Sequence, residues 1–316
     1  MTKRVFTYGC SVTQHIWPTW ADIVLHSARI NCYSVFNAGL SGQGNTGIKR
    51  SVIQTAEKYD ITAEDTLLVM WTSWLREDRI TYSHNFHDPA EGLTHSYPVH
   101  TRCGNVLNTP FYNRDFIRDY FNLDHYIINS ISEINTVRKA VDLTFEGHIV
   151  IGEGIKHGVE QNHIDSSLEN QSLMGVFNTN PSMGMPNPYY INADSQHESE
   201  YALYYQHDGH PVPADALAYV QQYVEPLLPF PIMPETIHWV SQWNDRLLAE
   251  IAVHGPRLGK KKPRWGQDFA DRMWHYNKKY GVITHKDIWG GSDAHPERID
   301  TVGILNQFIE RNQNKG

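Results

Sequence analysis

The sequence is short of cysteine and has no long apolar run, and each deficit excludes a class of protein. Its 316 residues include three cysteines, too few for a disulfide framework and spaced unlike any zinc motif: Cys10, Cys32 and Cys103. No stretch approaches the roughly eighteen apolar residues of a membrane span. The opening MTKR leads into a strand-like run instead of a secretory signal. We therefore expect a soluble protein made in the reducing cytoplasm, or one carried by a virus particle.

Positive charge is scarce as well. Lysine and arginine number 27 against 35 aspartates and glutamates, a net charge of −8, which argues against a general nucleic-acid binder. The 18 histidines fit no ligand spacing, so we expect neither a metal nor another cofactor. With 40% hydrophobic residues, the chain is long enough to bury a full α/β core and an additional lobe.

Ser11 lies where a strand-like segment meets a glycine turn. The run RVFTY at 4–8 is apolar, β-branched and aromatic, and GCSVT follows at 9–13. A strand, a tight turn and a helix in that order expose a serine Oγ at the carboxyl end of the strand, and the amides that open the helix stabilise negative charge there. Ser11 is therefore the candidate nucleophile, with a helix cap as the alternative role.

Strand-like and helix-like segments alternate over much of the chain. Strands are predicted at 4–8, 32–37, 66–71 and 147–151, and helices at 17–28, 46–58, 124–141 and 214–225. This alternation predicts parallel strands joined by right-handed crossovers, with helices on both faces of the sheet. Two long stretches, 83–121 and 155–199, are predicted to be irregular binding loops or lids.

The character of the sequence changes after residue 230. Two helix-like pieces at 235–251 and 267–280 flank the basic run GKKKPR at 259–264, which we expect to be a solvated loop. We divide the chain into a domain at 1–230 and a helical C-terminal extension at 231–316. A protein partner or a second copy of the chain is expected to bind through this extension.

Three further segments complete a pattern around Ser11. The second strand leads into NAGLSGQGN at 37–45, the apolar run TLLVM at 66–70 is followed by WTSWLR at 71–76, and QHDGHP at 206–211 precedes a helical stretch. In this order the segments resemble the motif blocks of the SGNH hydrolases, the GDSL esterase and lipase superfamily. The resemblance covers about the first 230 residues.

The resemblance implies a fold and a set of catalytic roles. The fold is a three-layer α/β/α sandwich with a mostly parallel, flavodoxin-like sheet. Ser11 would be the nucleophile, His210 its base and Asp208 the acid that orients the base. The amides of Ser11 and Gly42 would form part of the oxyanion hole. Cys10 stands where the family's name motif has aspartate.

Two positions depart from the family pattern. The third block normally supplies an asparagine side chain to the oxyanion hole, and Thr72 stands at that position. Its hydroxyl is a single, shorter donor, and Asn45 in the second block is the alternative. The last block usually separates its acid and base by two residues, whereas only Gly209 separates Asp208 from His210.

A second Asp-x-His-Pro spelling at 293–296 leaves the acid and base open, because it makes Asp293 and His295 an alternative pair. The helix predicted at 214–225 favours Asp208 and His210, since the family fold closes with such a helix. A helix predicted at 299–309 follows the alternative pair in the same way.

We therefore expect a serine esterase that acts on a small-molecule or carbohydrate ester, with removal of acetyl groups from sugars as the leading reaction. Long aromatic and polar loops suit polyols better than lipids. One alternative is a binding or structural module with weak or no activity, in a virus particle or a glycan-associated assembly. The other is an acyltransferase that uses the same acyl-enzyme chemistry. A membrane partner is not expected, and nucleic acid is disfavoured.

Overall fold

The computed structural model describes residues 3–88, 93–106, 114–149, 210–254 and 264–289. Its strands are β1 (Arg4–Tyr8), β2 (Ser34–Asn37), β3 (Thr66–Trp71), β4 (Arg76–Asp88), β5 (Leu93–Asn105), β6 (Phe145–His148) and β7 (Ile283–Thr284). Within these residues, five strands form one sheet in the order β6-β3-β1-β2-β7, and every neighbouring pair is parallel.

Helices connect and cover the strands. They are α1 (Trp20–Ile30), α2 (Asn45–Lys58), α3 (Arg114–Tyr120), α4 (Leu123–Ala140), α5 (Pro213–Tyr219), α6 (Pro234–His254), α7 (Arg264–Tyr280) and α8 (His285–Trp289). A π-helical turn, Val220–Val224, and a 3-10 turn, Glu225–Leu227, continue α5. The protein is therefore an α/β protein, as the alternation of segments predicts. Among the described helices, none has both the length and the apolar character that crossing a bilayer requires.

The sheet separates two apolar clusters, because successive strand residues point to opposite faces. Val5 of β1 packs in one cluster and its neighbour Phe6 packs in the other. The first cluster contains side chains from α1, α5 and α6, and the second contains side chains from α2, α4 and α8. All six residues of β3 are buried, as expected for a central parallel strand covered on both faces.

Strand β1 and strand β3 have the predicted bounds, whereas other boundaries differ. β2 begins at Ser34 instead of residue 32, and β6 occupies Phe145–His148 instead of 147–151. The first helix begins at Trp20 instead of residue 17, because Thr19 caps it. Thr19 and Asp22 form a reciprocal capping box, in which each side chain accepts a hydrogen bond from the other's backbone N–H.

The prediction of an irregular insertion at 83–121 is wrong. Most of the described part is an antiparallel pair, β4 with β5, followed by α3. Both strands contain Thr, Tyr and His, and their polar residues conceal the strand signal. Pro98 lies opposite Tyr82 in this pair, where a two-stranded sheet tolerates a residue without an N–H. The second stretch predicted to be irregular, 155–199, lies outside the described residues.

The segment after residue 230 packs on the sheet and its helices. Phe230 and Ile232, on the two sides of the predicted boundary, belong to the same apolar cluster. Thr236 of α6 joins α1 through His26 Nδ1 at 2.8 Å and Ser27 Oγ at 2.7 Å. β7 then adds a parallel strand beside β2. The division into domains at 1–230 and 231–316 stays a prediction.

Candidate active site

The loops that follow β1, β2 and β3 emerge at the same edge of the sheet. β1 lies between β2 and β3. The chain therefore passes from β1 to β2 on one side of it, and then returns across β1 to form β3 on the other side. In open α/β sheets, the carboxyl ends of strands around such a crossover form a crevice that binds ligands. The candidate residues Ser11, Gly42 and Thr72 follow these three strands in turn.

Thr13 joins the first two of these loops. A Cβ on Gly9 would lie 2.0 Å from Thr13 Oγ1, and a Cβ on Gly39 would lie 2.8 Å from Thr13 Cγ2. Both glycines are therefore required by the close approach of threonine. The bond from Leu40 N–H to the Gly9 carbonyl, 3.0 Å long, ties the same loops together. The glycines of the first two motif blocks thus leave the space in which Thr13 packs between the Ser11 turn and the Gly42 loop.

Asn37 and Asp22 form hydrogen bonds that stabilise this contact between the two loops. The Asn37 side chain accepts from Gly39 N–H at 3.0 Å and donates to the Thr13 carbonyl at 3.1 Å and to Asp22 Oδ1 at 3.2 Å. Asp22 is buried, and burial raises its pKa to about 6, although donors from Thr19 and Asn37 act in the opposite direction.

Ser11 lies in a turn and is almost completely buried. The amides of Thr13 and Gln14 both donate to the Cys10 carbonyl, at 3.0 and 3.1 Å. The expected helix does not follow this turn directly, since α1 begins only at Trp20. Thr19 is the residue that caps α1, so the alternative role of Ser11 as a helix cap is excluded.

A small cavity of about 10 Å³, with room for roughly one water molecule, lies beside Ser11. Ser11 and His210 both line it, and its remaining lining residues are Val12, His15, Trp17, Thr19, Trp20, Pro211 and Ala216. The structure therefore brings two of the predicted catalytic residues to one site. Within the described part of the chain, no hydrogen bond joins Ser11 Oγ to the His210 ring, which is common for catalytic pairs without substrate.

Two residues that the sequence analysis overlooked hold the His210 segment. Trp17 Nε1 donates to the Pro211 carbonyl at 2.9 Å, across 194 positions of sequence. The His15 ring stacks on the His210 ring with centroids 4.0 Å apart and meets the Trp17 ring edge-on, also at 4.0 Å. The only sequence signal for either residue is its position in the loop between Ser11 and α1.

Gly42 lies on the turn that leads to α2. Its φ of +82° is in the left-handed region that favours glycine, and Gln43 N–H closes the turn on the Leu40 carbonyl at 3.1 Å. A Cβ at this position would meet no atom within 4 Å. The backbone conformation, and not crowding, therefore accounts for glycine here.

Asn45 and Thr72, the two candidates for the missing oxyanion donor, bind each other. Asn45 Oδ1 accepts from Thr72 N–H at 2.9 Å, and Asn45 Nδ2 donates to the Thr72 carbonyl at 3.1 Å. Both residues are buried. Asn45 thus fixes the backbone of Thr72 and has one amide proton left, whereas the Thr72 side chain takes no part in the pair.

The N-terminus of α2 is bound by Asp78, near the start of β4. Asp78 Oδ2, on β4, accepts from Gly44 N–H and from Gly47 N–H, both at 2.8 Å. A carboxylate is favourable at this end of a helix. The contact fixes the first turn of α2, on which Asn45 is the first residue.

His148, at the carboxyl end of β6, is an unassigned buried polar residue near the same edge. Its ring packs against Trp74 with centroids 4.2 Å apart. Burial lowers its pKa to about 3. Within the described residues, both of its ring nitrogens lack a hydrogen-bond partner, as does Trp74 Nε1.

The remaining predicted site residues, Asp208, Asp293 and His295, lie outside the described residues. Across the residues that the structure describes, no group of three or more His, Cys, Asp or Glu side chains is arranged to hold a metal ion. The expectation of no cofactor stays a prediction.

No protein-family model matches the sequence, and no curated protein matches it significantly. The function of the site is therefore argued from its own geometry.

Proposed function

We propose that the chain is a divergent serine esterase of the SGNH type. One observation carries the proposal: Ser11 and His210, distant in sequence, line a single cavity at the carboxyl edge of a parallel sheet. The loop of Gly42 is tied to Gly9, directly before this serine turn. One region therefore contains a candidate nucleophile, a candidate base and a backbone loop that could stabilise the oxyanion, which are the groups that acyl transfer requires.

The arrangement of strands supports the same assignment. The order β2-β1-β3-β6 corresponds to the first four strands of a flavodoxin-like sheet. Helices contribute to an apolar cluster on each face of these strands, in keeping with a three-layer α/β/α sandwich. We interpret β7, on the outer side of β2, as an addition to this sheet.

In the proposed reaction, His210 takes the proton from Ser11 Oγ as the oxygen attacks the ester carbonyl. The tetrahedral intermediate collapses to an acyl-serine, and His210 returns the proton to the departing alcohol. Water, activated by the same imidazole, then releases the acid. Asp208 would orient the imidazole and stabilise its charged form. The amides of Ser11 and Gly42, with the Thr72 hydroxyl, would stabilise the oxyanion.

The substrate we propose is a small acyl ester, with an O-acetylated sugar as the leading class. Trp17 and Trp20 form walls of the cavity, and two indole rings leave little room for a long acyl chain. Val12 and Ala216 complete an apolar lining suited to a methyl group. A polar alcohol such as a sugar would remain at the solvent side.

The proposal is tested by measuring hydrolysis of p-nitrophenyl acetate by the wild type and by Ser11→Ala. We expect Ser11→Ala to abolish enzymatic turnover. Ser132→Ala, an exposed serine of α4, is the matched control and should retain full activity. Equal turnover in the wild type and Ser11→Ala would exclude serine catalysis at this site.

The second candidate function is a binding module that has kept the fold without the chemistry. The pairing of the Asn45 amide with Thr72 favours it, because the asparagine that the family uses is absent and one of the two amide protons of Asn45 is already bound. A fluorophosphonate probe separates the two functions: an esterase is labelled at Ser11, whereas a binding module retains ligand without labelling. Transfer of the acetyl group to an added sugar alcohol would identify the acyltransferase alternative.

A further inference from the structure

His15 is a cavity residue to which the proposed reaction assigns no role. It lies four positions after Ser11 in the same loop, and its ring is stacked on His210 with an interplanar angle of 17°. The ring of Trp17 meets its edge at 86°. The base of the proposed reaction is therefore in contact with an aromatic pair that belongs to the nucleophile's own loop.

Such a contact restricts the rotation of the imidazole ring, which a histidine base must hold in one orientation. The terminal torsion of an imidazole has a broad energy minimum, so a backbone position alone does not fix the plane of the ring. A parallel ring at 4.0 Å restricts rotation about that torsion. The plane of the His210 ring decides which direction its nitrogens face, and hence whether one of them reaches Ser11 Oγ.

The second anchor acts on the backbone of the same segment. Trp17 Nε1 donates to the carbonyl of Pro211, the next residue after His210. Since the donor and acceptor are buried, this bond is shielded from competing water. The His15 ring contacts the His210 ring, and the Trp17 indole binds the main chain at Pro211. The loop after Ser11 therefore contacts the segment of the base at two points.

We propose that His15 is a positioning residue, which fixes the plane of the His210 ring by stacking on its face. This inference rests on the proposed esterase function and deepens it. It also accounts for a departure in the sequence: Asp208 is one residue closer to His210 than the family pattern provides. A ring platform supplies orientation that the altered spacing no longer guarantees.

The experiment compares His15→Phe, which keeps an aromatic face, with His15→Ala, which removes it. We expect His15→Phe to retain kcat within about threefold, and His15→Ala to lose roughly tenfold to a hundredfold, the cost of misplacing a reacting group by about 1 Å. KM should change less than kcat in both variants, because the stack acts on the orientation of the His210 ring. His238→Ala, an exposed histidine of α6, is the control and should match the wild type.

Proton NMR of the His210 ring provides a readout that needs no activity. Its ring protons should be shifted upfield in the wild type and in His15→Phe, and should move toward free-histidine positions in His15→Ala. Equal losses in both variants, or no loss in either, would overturn the positioning role. A wild type that hydrolyses no ester but shows the upfield shift would overturn the proposed function and leave the ring contact established.

Discussion

The side-chain amide of Asn45 is paired with the backbone of Thr72 in both directions, as acceptor at 2.9 Å and as donor at 3.1 Å. Asn45 is the first residue of α2 and Thr72 directly follows β3, so this pair joins the start of α2 to the end of β3. It separates the two roles that the sequence left open. Asn45 has the contacts of a residue that positions Thr72, and the hydroxyl of Thr72 is the candidate donor to the oxyanion.

Thr72→Val should lower kcat with little effect on KM. Valine keeps the shape of threonine and removes the hydroxyl, whose stabilisation of the oxyanion exists mainly in the transition state. The loss of one donor typically costs tenfold to a thousandfold in kcat. Steady-state kinetics with p-nitrophenyl acetate measure the effect. Thr72→Asn, which restores the family residue, should not fall below Thr72→Val, and a higher rate than wild type would indicate an attenuated oxyanion hole. If Thr72→Val matches the wild type, the hydroxyl is not the donor.

Asn45→Ala should reduce stability as well as activity. The substitution leaves the buried N–H and carbonyl of Thr72 without their partner, at a cost of roughly 1–3 kcal/mol for each buried group. The free energy of unfolding, measured by urea denaturation, should fall by more than it does in Thr72→Val. Stability unchanged from wild type would contradict the buried pairing.

His210→Ala should eliminate esterase activity, whereas His295→Ala should retain most of it. His210 lines the cavity with Ser11, and Pro211 is held there by Trp17. Values of kcat/KM for the two variants test the assignment. The reverse pattern would transfer the roles of acid and base to Asp293 and His295.

Asp22 should make the protein less stable as pH rises from about 4 to about 6. Burial raises its pKa to about 6 in the folded state, so over this window the folded protein retains a proton that the unfolded chain releases. Asp22→Asn removes this dependence, and relative to that variant the wild type should lose on the order of 2 kcal/mol across the window. Urea denaturation at several pH values measures the difference, and parallel stability curves would contradict the prediction.

His148 should act in the opposite direction. Burial lowers its pKa to about 3, so the unfolded chain binds a proton below about pH 6.5 that the folded state does not accept. Stability is therefore lost as pH falls from 7 to 5, by on the order of 2 kcal/mol for a group with this shift. His148→Leu, which removes both unpaired nitrogens, should flatten this acid dependence and leave stability at pH 7 equal or higher. An acid dependence identical to wild type would contradict the burial of an uncharged imidazole.

The sequence predicts the elements whose signal is local. β1 and β3 have the expected bounds because buried parallel strands are continuous apolar runs. The sequence also carries a signal for the start of α1, since Thr19 followed by Asp22 is a capping box, although the apolar pattern alone places that start at residue 17. The antiparallel pair of β4 and β5 has no such signal, because its His, Thr and Tyr residues do not alternate in polarity with apolar ones. β7 has only two residues, and no pattern of that length identifies a strand.

Part of the candidate site could be predicted in the same way. The motif blocks pointed to Ser11, Gly42 and His210, because glycines and the order of segments carry their signal. The sequence could not distinguish between Asn45 and Thr72, since their roles depend on a contact across 27 positions. It gave no reason to select His15, whose importance arises only when the His210 segment returns to the loop after β1.

The strand that pairs with the outer side of β2, β7, is the last described strand of the chain. β1, β2 and β3 leave the ribosome long before Ile283 and Thr284, and until then β2 presents an open edge. An unpaired edge strand is a template for association with other chains. A chain that ends at residue 230 would keep Ser11, Gly42, Thr72 and His210, yet it would never seal this edge. β7 therefore covers this edge in the finished protein, whereas the nascent chain lacks that cover until synthesis is nearly complete.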